Sequence, residues 1–478
     1  MPEIATRIPL LVPVLTALLA GCVARGDWKP AAQLAPQALA ASRTFAPASV
    51  AATAWPVDTW WHSYGDAQLD ALVAEALAGN PTLAMAQARL RAAQAQLIAA
   101  GAARLPQTAL DAETTRQRYP EHGLYPPPFA GSYYSDGRIA LDFSYDLDFW
   151  GRNRALQAAA RSGEEAAQAD RAAARLAISV AVVRAYIELD LSYALLDVTN
   201  DNLTQQATIL ELTQQRVSAG LENVARVKQS EGQLALTRAA VAAVQANIEL
   251  ARNQLADLAG AGPDRGQELR RPQLSAPAQI ALPAALPAEL LGRRPDLAAA
   301  RARVEAAGRG VKAAEADFYP NVNLAAFAGV QSVGLSQLFD ASDRIVGAGP
   351  AVSLPVFNRR ALRGTLTASQ AELDLSVGEY NQTLLDAVRE VADVVANWRA
   401  LELESREQET ALDAAQRSYD LTAERYRAGL DNYLTVLSSE NQVFLAQGLR
   451  AQLQARRLTF SVELVRALGG GYGAAAAG

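Results

Sequence analysis

The side chains that most often carry out covalent or metal chemistry are few in this sequence and stand far apart. There is one cysteine, Cys22, and there are two histidines, His62 and His122. Neither histidine lies near a cysteine or a carboxylate pair at ligand spacing, so the sequence predicts no histidine-based metal site. It also contains no Gly-rich phosphate loop and no Gly-x-Ser-x-Gly motif. Without a convergent nucleophile, base or metal set, we expect no enzyme.

Cys22 stands where a covalent lipid could be attached. It follows a short apolar stretch, 8–19, which is shorter than the roughly 20 residues of a membrane-spanning helix and fits the core of a secretory signal. The run Leu19-Ala20-Gly21-Cys22 resembles the bacterial lipobox, in which the thiol receives a diacylglycerol. We predict a signal peptide over 1–21 and lipidation of Cys22. The alternative is an ordinary signal peptide followed by an incidental cysteine.

The composition favours long, closely packed helices. Half of the 478 residues are apolar but only 6% are aromatic, and Ala, Leu and Val supply most of the apolar content. The net charge of −6 excludes the basic surface of a nucleic-acid-binding protein, so no nucleic acid is expected as a partner.

The chain carries the same pattern twice, which predicts an internal two-fold repeat. Asn80-Pro81 and Arg294-Pro295 each open an Ala-rich helical segment, and the stretch 215–236 matches 424–445. Each match recurs about 210 residues further on, in the same order. The predicted divisions are an extended N-terminal segment over 22–59, a first repeat over 60–262, a linker over 263–287, a second repeat over 288–468 and a flexible tail over 469–478.

Two long segments without proline, 152–218 and 359–427, predict very long helices. Apolar residues recur in both at intervals of three and four, which is a coiled-coil stripe. At about 1.5 Å per residue, a helix of about 65 residues is roughly 100 Å long. That length suits a protein that crosses a periplasm.

Four shorter segments predict strands of a membrane barrel. The clearest is 138–149, where apolar residues alternate with acidic and small polar ones. Weaker alternation occurs at 106–117, 320–331 and 346–356. A closed barrel needs at least about eight strands, and open edges are not tolerated in lipid, so the chain must oligomerise. Two or three copies would both close a barrel, and the alternation does not choose between them.

These features resemble the outer-membrane factors of tripartite efflux pumps, the TolC-like channels, and among them the NodT-type lipoprotein branch. The resemblance covers nearly the whole chain after Cys22. It rests on these stretches: WWHSYGDAQLDALVAEALAGNPTL (60–83), DFSYDLDFWGRNR (142–154), ELLGRRPDLAAARARVEAA (289–307), SLPVFNRRALRG (353–364) and YRAGLDNYLTVLSSENQVFLAQ (426–447).

The resemblance implies a mainly α-helical chain whose four strands join a trimeric, twelve-stranded membrane β-barrel, continued by a long coiled-coil tunnel. It implies a passive conduit for drugs or other small toxic compounds in the Gram-negative outer membrane, lipid-anchored and extending into the periplasm. Val23 agrees with that location, since relatives with Asp there tend to stay in the inner membrane. No cofactor is implied beyond the lipid.

The partners implied by the resemblance are two further copies in a homotrimer, a periplasmic adaptor, an inner-membrane transporter of the resistance-nodulation-division (RND) type, and outer-membrane lipid. One alternative is a type I protein-secretion channel of the same fold. Another is a structural periplasmic coiled-coil lipoprotein, although a scaffold has no use for lipid-facing strands.

Each predicted helical hairpin turns at Ala-Gly-Leu-acid-Asn, at 219–223 and 428–432, which we call the hairpin tips. The glycines can end a helix in the left-handed conformation. Glu222 and Asp431 are expected in the first turn of the next helix, where the helix dipole favours a carboxylate. The resemblance implies that the tips close the tunnel and contact the adaptor. The residues assigned to this contact are Gly220, Leu221, Glu222, Gly429 and Leu430.

One turn deeper, relatives narrow the closed pore with an apolar residue and an acidic ring, which fall here on Leu434 and Ser438. Leu434 fits that pattern, whereas Ser438 replaces the acid. Aspartates in a ring repel one another and coordinate cations, and serines do neither strongly. We therefore predict a periplasmic gate held shut by packing and by ion pairs at the tips. Its residues are Leu434, Ser438, Asp431, Arg216, Arg425 and Arg427.

Asp142 and Asp146 belong to the acidic face of the clearest strand and are predicted to line the barrel lumen. Carboxylates there would favour cations. The equally weighted alternative is that they only keep a water-filled wall soluble.

Overall fold

The computed structural model describes residues 28–36, 39, 55–275, 290–355 and 357–473. Cys22 and the predicted signal peptide lie outside these residues. The described part of the chain is mainly helical and holds one antiparallel sheet of four strands, which confirms the predicted mainly α-helical class.

The long elements follow the predicted order of helices and strands. The helices are α1 (Ala67–Gly79), α2 (Pro81–Ala102), α3 (Arg152–Ser218), α4 (Val224–Leu258), α5 (Asp264–Gln267), α6 (Leu290–Arg293), α7 (Pro295–Ala316), α8 (Arg359–Arg427) and α9 (Tyr433–Ala467). The strands are β1 (Gln107–Arg118), β2 (Tyr133–Asp146), β3 (Asn321–Val333) and β4 (Arg344–Ser353). Among the helices described, none is both long enough and apolar enough to cross a membrane.

Helices α3 and α8 are the two very long helices that the sequence predicted. They contain 67 and 69 residues, which corresponds to roughly 100 Å each at about 1.5 Å per residue. Their ends coincide with the predicted segments 152–218 and 359–427. Proline opens α2 and α7, at the first helical position, where the missing amide proton has no partner to lose.

Corresponding helices of the two predicted repeats have closely similar lengths. α2 and α7 each contain 22 residues, α4 and α9 each contain 35, and α3 and α8 differ by two. The residue before each opening proline also makes the same kind of contact. The side chain of Asn80 donates to the carbonyl of Leu258 at 2.9 Å, and that of Arg294 donates to the carbonyl of Ala467 at 3.1 Å.

Glycine makes this close approach of helix ends possible in both predicted repeats. Gly260, just after α4, has a φ of +74°, and a Cβ there would lie 2.5 Å from the carbonyl oxygen of Gly79. Gly469, just after α9, has a φ of +89°, and its Cβ would overlap the carbonyl oxygen of Arg293. Both positions combine a left-handed backbone with a close approach of two main chains, so only glycine fits.

The sheet is antiparallel, with its strands in the order β1-β2-β3-β4, and the helices α3 to α7 separate β2 from β3 along the chain. Directly opposed residues share a face, and the register places Leu141 of β2 between Leu110 of β1 and Ala328 of β3. The middle of this face is therefore apolar, while Arg116 and Arg118 of β1 and Arg344 of β4 lie toward one end of it. The opposite face carries Asp142.

The predicted bounds of the clearest strand were wrong. β2 begins at Tyr133 and ends at Asp146, rather than spanning 138–149. The alternation continues past Asp146, but Asp148 has a φ of +45° and its carboxylate accepts the amides of Asn153 and Arg154, both at 2.9 Å. This contact starts α3 and ends the strand. The other three strands lie within a few residues of their predicted positions.

The described chain divides into two compact units, one of which holds the sheet and the helical segments beside it, over 89–167 and 300–380. In this unit the N-terminal segment also contacts α8. The indole nitrogen of Trp28 donates to Asp374 at 2.9 Å, and the amide of Ala31 does so at 2.7 Å.

The other unit contains an extensive apolar core. Its buried residues include Trp60, Leu69, Val183 and Leu458. Tyr186 is buried in this core. Its hydroxyl donates at 2.8 Å to Asp66, the N-cap residue of α1.

We expect Gly469→Ala to destabilise the protein by at least about 2 kcal/mol, because the left-handed backbone costs an L-residue about 1–2 kcal/mol and the methyl group overlaps a carbonyl oxygen. Thermal unfolding of the purified protein measures the effect. Gly262→Ala is the matched control, since that position has open space around it. Equal melting temperatures for the two variants would rule out this close approach as a constraint on the fold.

Candidate functional site

Both hairpin tips reverse the chain by the same helix-ending motif. At the first tip, Gly220 has a φ of +72° and the amide of Leu221 donates to the carbonyl of Arg216 at 2.9 Å. The second tip repeats this geometry around Gly429, with a φ of +76°. This is the Schellman arrangement, in which a left-handed glycine satisfies the last carbonyls of a helix. The capping role predicted for the two glycines is confirmed.

The next helices are capped by asparagine rather than by the acids. The side chain of Asn223 accepts the amide of Arg226 at 3.2 Å and caps α4. That of Asn432 accepts the amides of Leu434 and Thr435 at 2.9 and 3.2 Å and caps α9. A side-chain oxygen at this position satisfies amides that have no partner within the helix.

The predicted position of Glu222 and Asp431 in the first helical turn is therefore wrong. Each acid precedes the capping asparagine and contacts arginine instead. Glu222 lies 3.9 Å from Arg216 and 3.8 Å from Arg226. Asp431 lies 3.3 Å from Arg425. The amide of Asn432, helped by Thr435 and Arg425, holds the pKa of the Asp431 carboxyl below its usual value.

Arg216 connects the two hairpins of one chain. Its guanidinium lies over the ring of Tyr426 at 4.5 Å and donates to the carbonyl of Tyr426 at 3.2 Å. Tyr426 is almost fully buried and packs with Ile209, Tyr433 and Val436 in a small apolar cluster. The tips therefore hold together through a cation–π contact over a packed aromatic pair.

The remaining predicted gate and contact residues lie on the surface of the chain. Leu434 is 48% exposed, and Ser438, one helical turn along, is also exposed. The same holds for the apolar residues Leu221 and Leu430 of the tips, which are 66% and 68% exposed, and for Arg427. Leu434 and Ser438 share one helical face because they are four residues apart.

One residue of this region was missed by the sequence analysis. Glu440 is 1% exposed, and its Oε2 accepts the side-chain amide of Gln206 at 2.9 Å. Burial raises its pKa from 4.5 to about 7. Val436 and Val443 are buried on the same face of α9, so an acid within an apolar stripe was the signal that could have revealed it.

The two acids predicted to line a lumen are both engaged by neighbouring groups. Asp142 accepts the guanidinium of Arg138 at 2.7 Å. Asp146 accepts the amide of Asp148 at 2.9 Å and the side chain of Asn153 at 3.2 Å, which ties it to the turn before α3. Across the ranges that the structure describes, no three His, Cys, Asp or Glu side chains are grouped so as to hold a metal ion.

A family model described as outer membrane efflux protein matches residues 72–261 and 286–470, most of the chain. This chain belongs to the outer membrane efflux protein family. The resemblance drawn from the sequence is confirmed. The chain is an outer-membrane efflux channel component, and the hairpin tips and the sheet are parts of that component.

Curated relatives and solved structures agree with this family assignment. The fusaric acid resistance protein FusA of Burkholderia cepacia is 38% identical over 376 residues, 77% of this chain and 70% of that protein. The multidrug resistance outer membrane protein MdtP of Escherichia coli is 32% identical over 466 residues, 96% of this chain and 95% of that protein. The crystal structure of the outer membrane protein VceC from Vibrio cholerae superposes with a TM-score of 0.83 at 38% identity, covering 87% of this chain and all of that one. The outer-membrane channel OprN gives 0.84 at 28% identity, covering 94% and 99%.

We expect Arg216→Gln to loosen the tips by about 1 kcal/mol, because it removes the cation–π contact with Tyr426. Hydrogen exchange of peptides spanning 424–437 should then show a protection factor about fivefold lower than in the wild type. Arg417→Gln removes a similar charge from an exposed position of α8 outside this peptide and should leave protection unchanged. If both variants exchange alike, Arg216 does not hold the tips together.

Proposed function

We propose that this chain is the outer-membrane channel of a tripartite, RND-type efflux system, a passive conduit that exports drugs or other small toxic compounds. The observation that carries the proposal is the combination, within this family, of a sheet with one face that is apolar in its middle and of helices of roughly 100 Å. The names of the relatives, which refer to multidrug and fusaric acid resistance, support the substrate class. The chain needs no cofactor and no catalytic group for this role.

The working channel in this proposal is a homotrimer. β1 and β4 each pair on one side only within the four-stranded sheet, and unpaired strand edges are not tolerated in lipid. Three copies would close a twelve-stranded barrel with room for a conduit, whereas the interior of an eight-stranded barrel is filled by side chains. The long helices would continue the barrel as a coiled-coil tunnel.

We further propose that the two halves of the chain are an internal repeat. The similar lengths of corresponding helices, the matching hydrogen bonds of Asn80 and Arg294, and the two separate matches of the family model support this.

Anchoring and docking complete the proposal. A lipid on Cys22 would hold the N-terminus in the outer membrane, and the contacts of Trp28 and Ala31 with Asp374 would fix the segment that follows. The exposed leucines of the tips, Leu221 and Leu430, suit contact with a periplasmic adaptor, which in turn would bind the inner-membrane transporter. Gly220, Glu222 and Gly429 would shape that surface.

The gate in this proposal is closed without an acidic ring. Leu434 and Ser438 would face the pore, while the ion pairs of Arg216 and Arg425 with the tip acids stabilise the closed arrangement. Arg427 is exposed beside them and would be free to contact a neighbouring copy. Asp142 and Asp146 would line the lumen, where Arg138 offsets part of their charge.

The function is tested with the full-length protein extracted from outer membranes. We expect cross-linking to give trimers and planar bilayers to show discrete conductance steps. Labelled palmitate should enter the wild type but not Cys22→Ala, which should still conduct because the anchor is not part of the pore. A protein that remains monomeric and does not conduct would refute the channel, and palmitate in Cys22→Ala would refute the anchor alone.

Ser438→Asp should restore an acidic ring, and we expect a lower conductance and a block by calcium, because clustered carboxylates bind divalent cations. Ser418→Asp adds the same charge at an exposed position of α8 and serves as the control. Unchanged conductance and calcium sensitivity in Ser438→Asp would show that this ring does not lie at the constriction.

A further inference from the structure

Glu440 is a buried acid with too few hydrogen-bond partners to stabilise its ionised form. It lies on α9, 1% exposed, and its one hydrogen bond comes from the side-chain amide of Gln206 on α3. Within the residues that the structure describes, its other oxygen, Oε1, has no hydrogen-bond partner, and neither has the Oε1 atom of Gln206. A carboxylate held by a single neutral donor in a dry site is strongly disfavoured.

Among the described residues, no cation offsets the charge of an ionised Glu440. The groups that share its electrostatic environment are the phenols of Tyr419 on α8 and Tyr433 on α9. The arginines of the surrounding helices interact with other side chains. Burial raises the pKa of Tyr433 and of Tyr419, and the charges of Arg226 on α4 and of Arg427 on α8 partly offset this rise. Arg216 on α3 lies over the ring of Tyr426. Glu440 thus faces Gln206, phenols and apolar side chains, and the cause of its raised pKa is burial.

The neutral acid suits the same place. A protonated carboxyl has one O–H to donate while its other oxygen still accepts. The partner side chain of Gln206 has an amide that already donates to Glu440 and a carbonyl oxygen that lacks a donor. The carbonyl oxygen of Gln206 can gain a donor from Glu440 only while the proton is present.

We propose that Glu440 and Gln206 form a proton-sensitive latch, which joins the first hairpin to the second while Glu440 is neutral and releases them when it ionises. The latch connects α3 to α9, two helices whose contact residues are 234 positions apart in sequence. One helical turn nearer the tip lies the apolar cluster of Tyr426, Tyr433 and Val436. Its effect on conduction rests on the proposed channel function, but the latch itself does not.

The direction of the effect follows from the pKa. Burial raises the pKa of Glu440 from 4.5 to about 7, so the packed arrangement binds the proton more tightly than a loosened one in which the carboxyl reaches water. The stabilisation by the latch is complete below pH 4.5 and is lost as the pH rises from there through about 7. The tips should be held most firmly in acid and should loosen near neutral pH.

Hydrogen exchange of the intact channel protein tests the latch without requiring conduction. We expect protection factors for peptides spanning 200–212 and 433–446, corrected for the intrinsic rate at each pH, to fall about tenfold from pH about 5 to pH about 8.5 in the wild type. Glu440→Gln cannot ionise and should keep the acid-pH protection throughout. Glu424→Gln makes the same change at an exposed position of α8 and should behave as the wild type. pH-independent protection in the wild type, or an unchanged pH dependence in Glu440→Gln, would overturn the proposal.

Two further measurements do not depend on how Glu440→Gln folds. Gln206→Met removes the partner and keeps the acid, and it should lower the acid-pH protection to the wild-type alkaline level. Infrared titration of the wild type should show a protonated carboxyl that persists to a pH near 7. The latch is wrong if every carboxyl of the wild type has ionised by pH about 5.5. In planar bilayers the open fraction should rise with pH in the wild type but not in Glu440→Gln. A protein that shows the exchange pattern and never conducts keeps the latch and loses the channel.

Discussion

The rest of the structure depends on one constraint, the close approach of two main chains just after α4 and again just after α9. Gly260 meets Gly79 there, and Gly469 meets Arg293, at distances that leave no room for a Cβ atom. Asn80 and Arg294, just before the opening prolines, add a hydrogen bond to the end of the returning helix. A helix of 35 residues amplifies any small change in direction at its base over its whole length, so its far end is well placed only if this contact is rigid.

At the far ends of the hairpins, the residues that form the turns differ from the residues that join the two hairpins. Glycine and asparagine satisfy the backbone groups that the helix ends leave open, and they do so with local contacts in each tip. Because asparagine caps the next helix, Glu222 and Asp431 are available to pair with arginine. Arg216 then reaches the second hairpin through Tyr426. Because separate residues carry the two tasks, the contacts between hairpins can change without unwinding either turn.

Ser438 lies on the exposed face of α9, and Glu440 lies on the buried face of the same helix. A carboxylate on the exposed face of α9 would keep an ordinary pKa, because water solvates it. Two residues on, the helix has turned its face inward, and burial raises the pKa of Glu440 to about 7. A group that changes charge near neutral pH thus lies in the packing between hairpins. In this protein a carboxyl with a raised pKa lies between α3 and α9, near the aromatic cluster of the tips.

The sequence by itself determined the features that depend on neighbours along the chain. The bounds of α3 and α8 follow from proline-free apolar stripes, the starts of α2 and α7 from proline, and the turns at Gly220 and Gly429 from a residue that tolerates the left-handed conformation. Only the tertiary structure decided the rest. β2 ends at Asp146 because Asp148 caps the next helix, although the alternation continues beyond it. Glu222 pairs with arginine because Asn223 takes the capping position. The raised pKa of Glu440 depends on burial against helices from distant parts of the chain, and no local pattern specifies which side chain will face it.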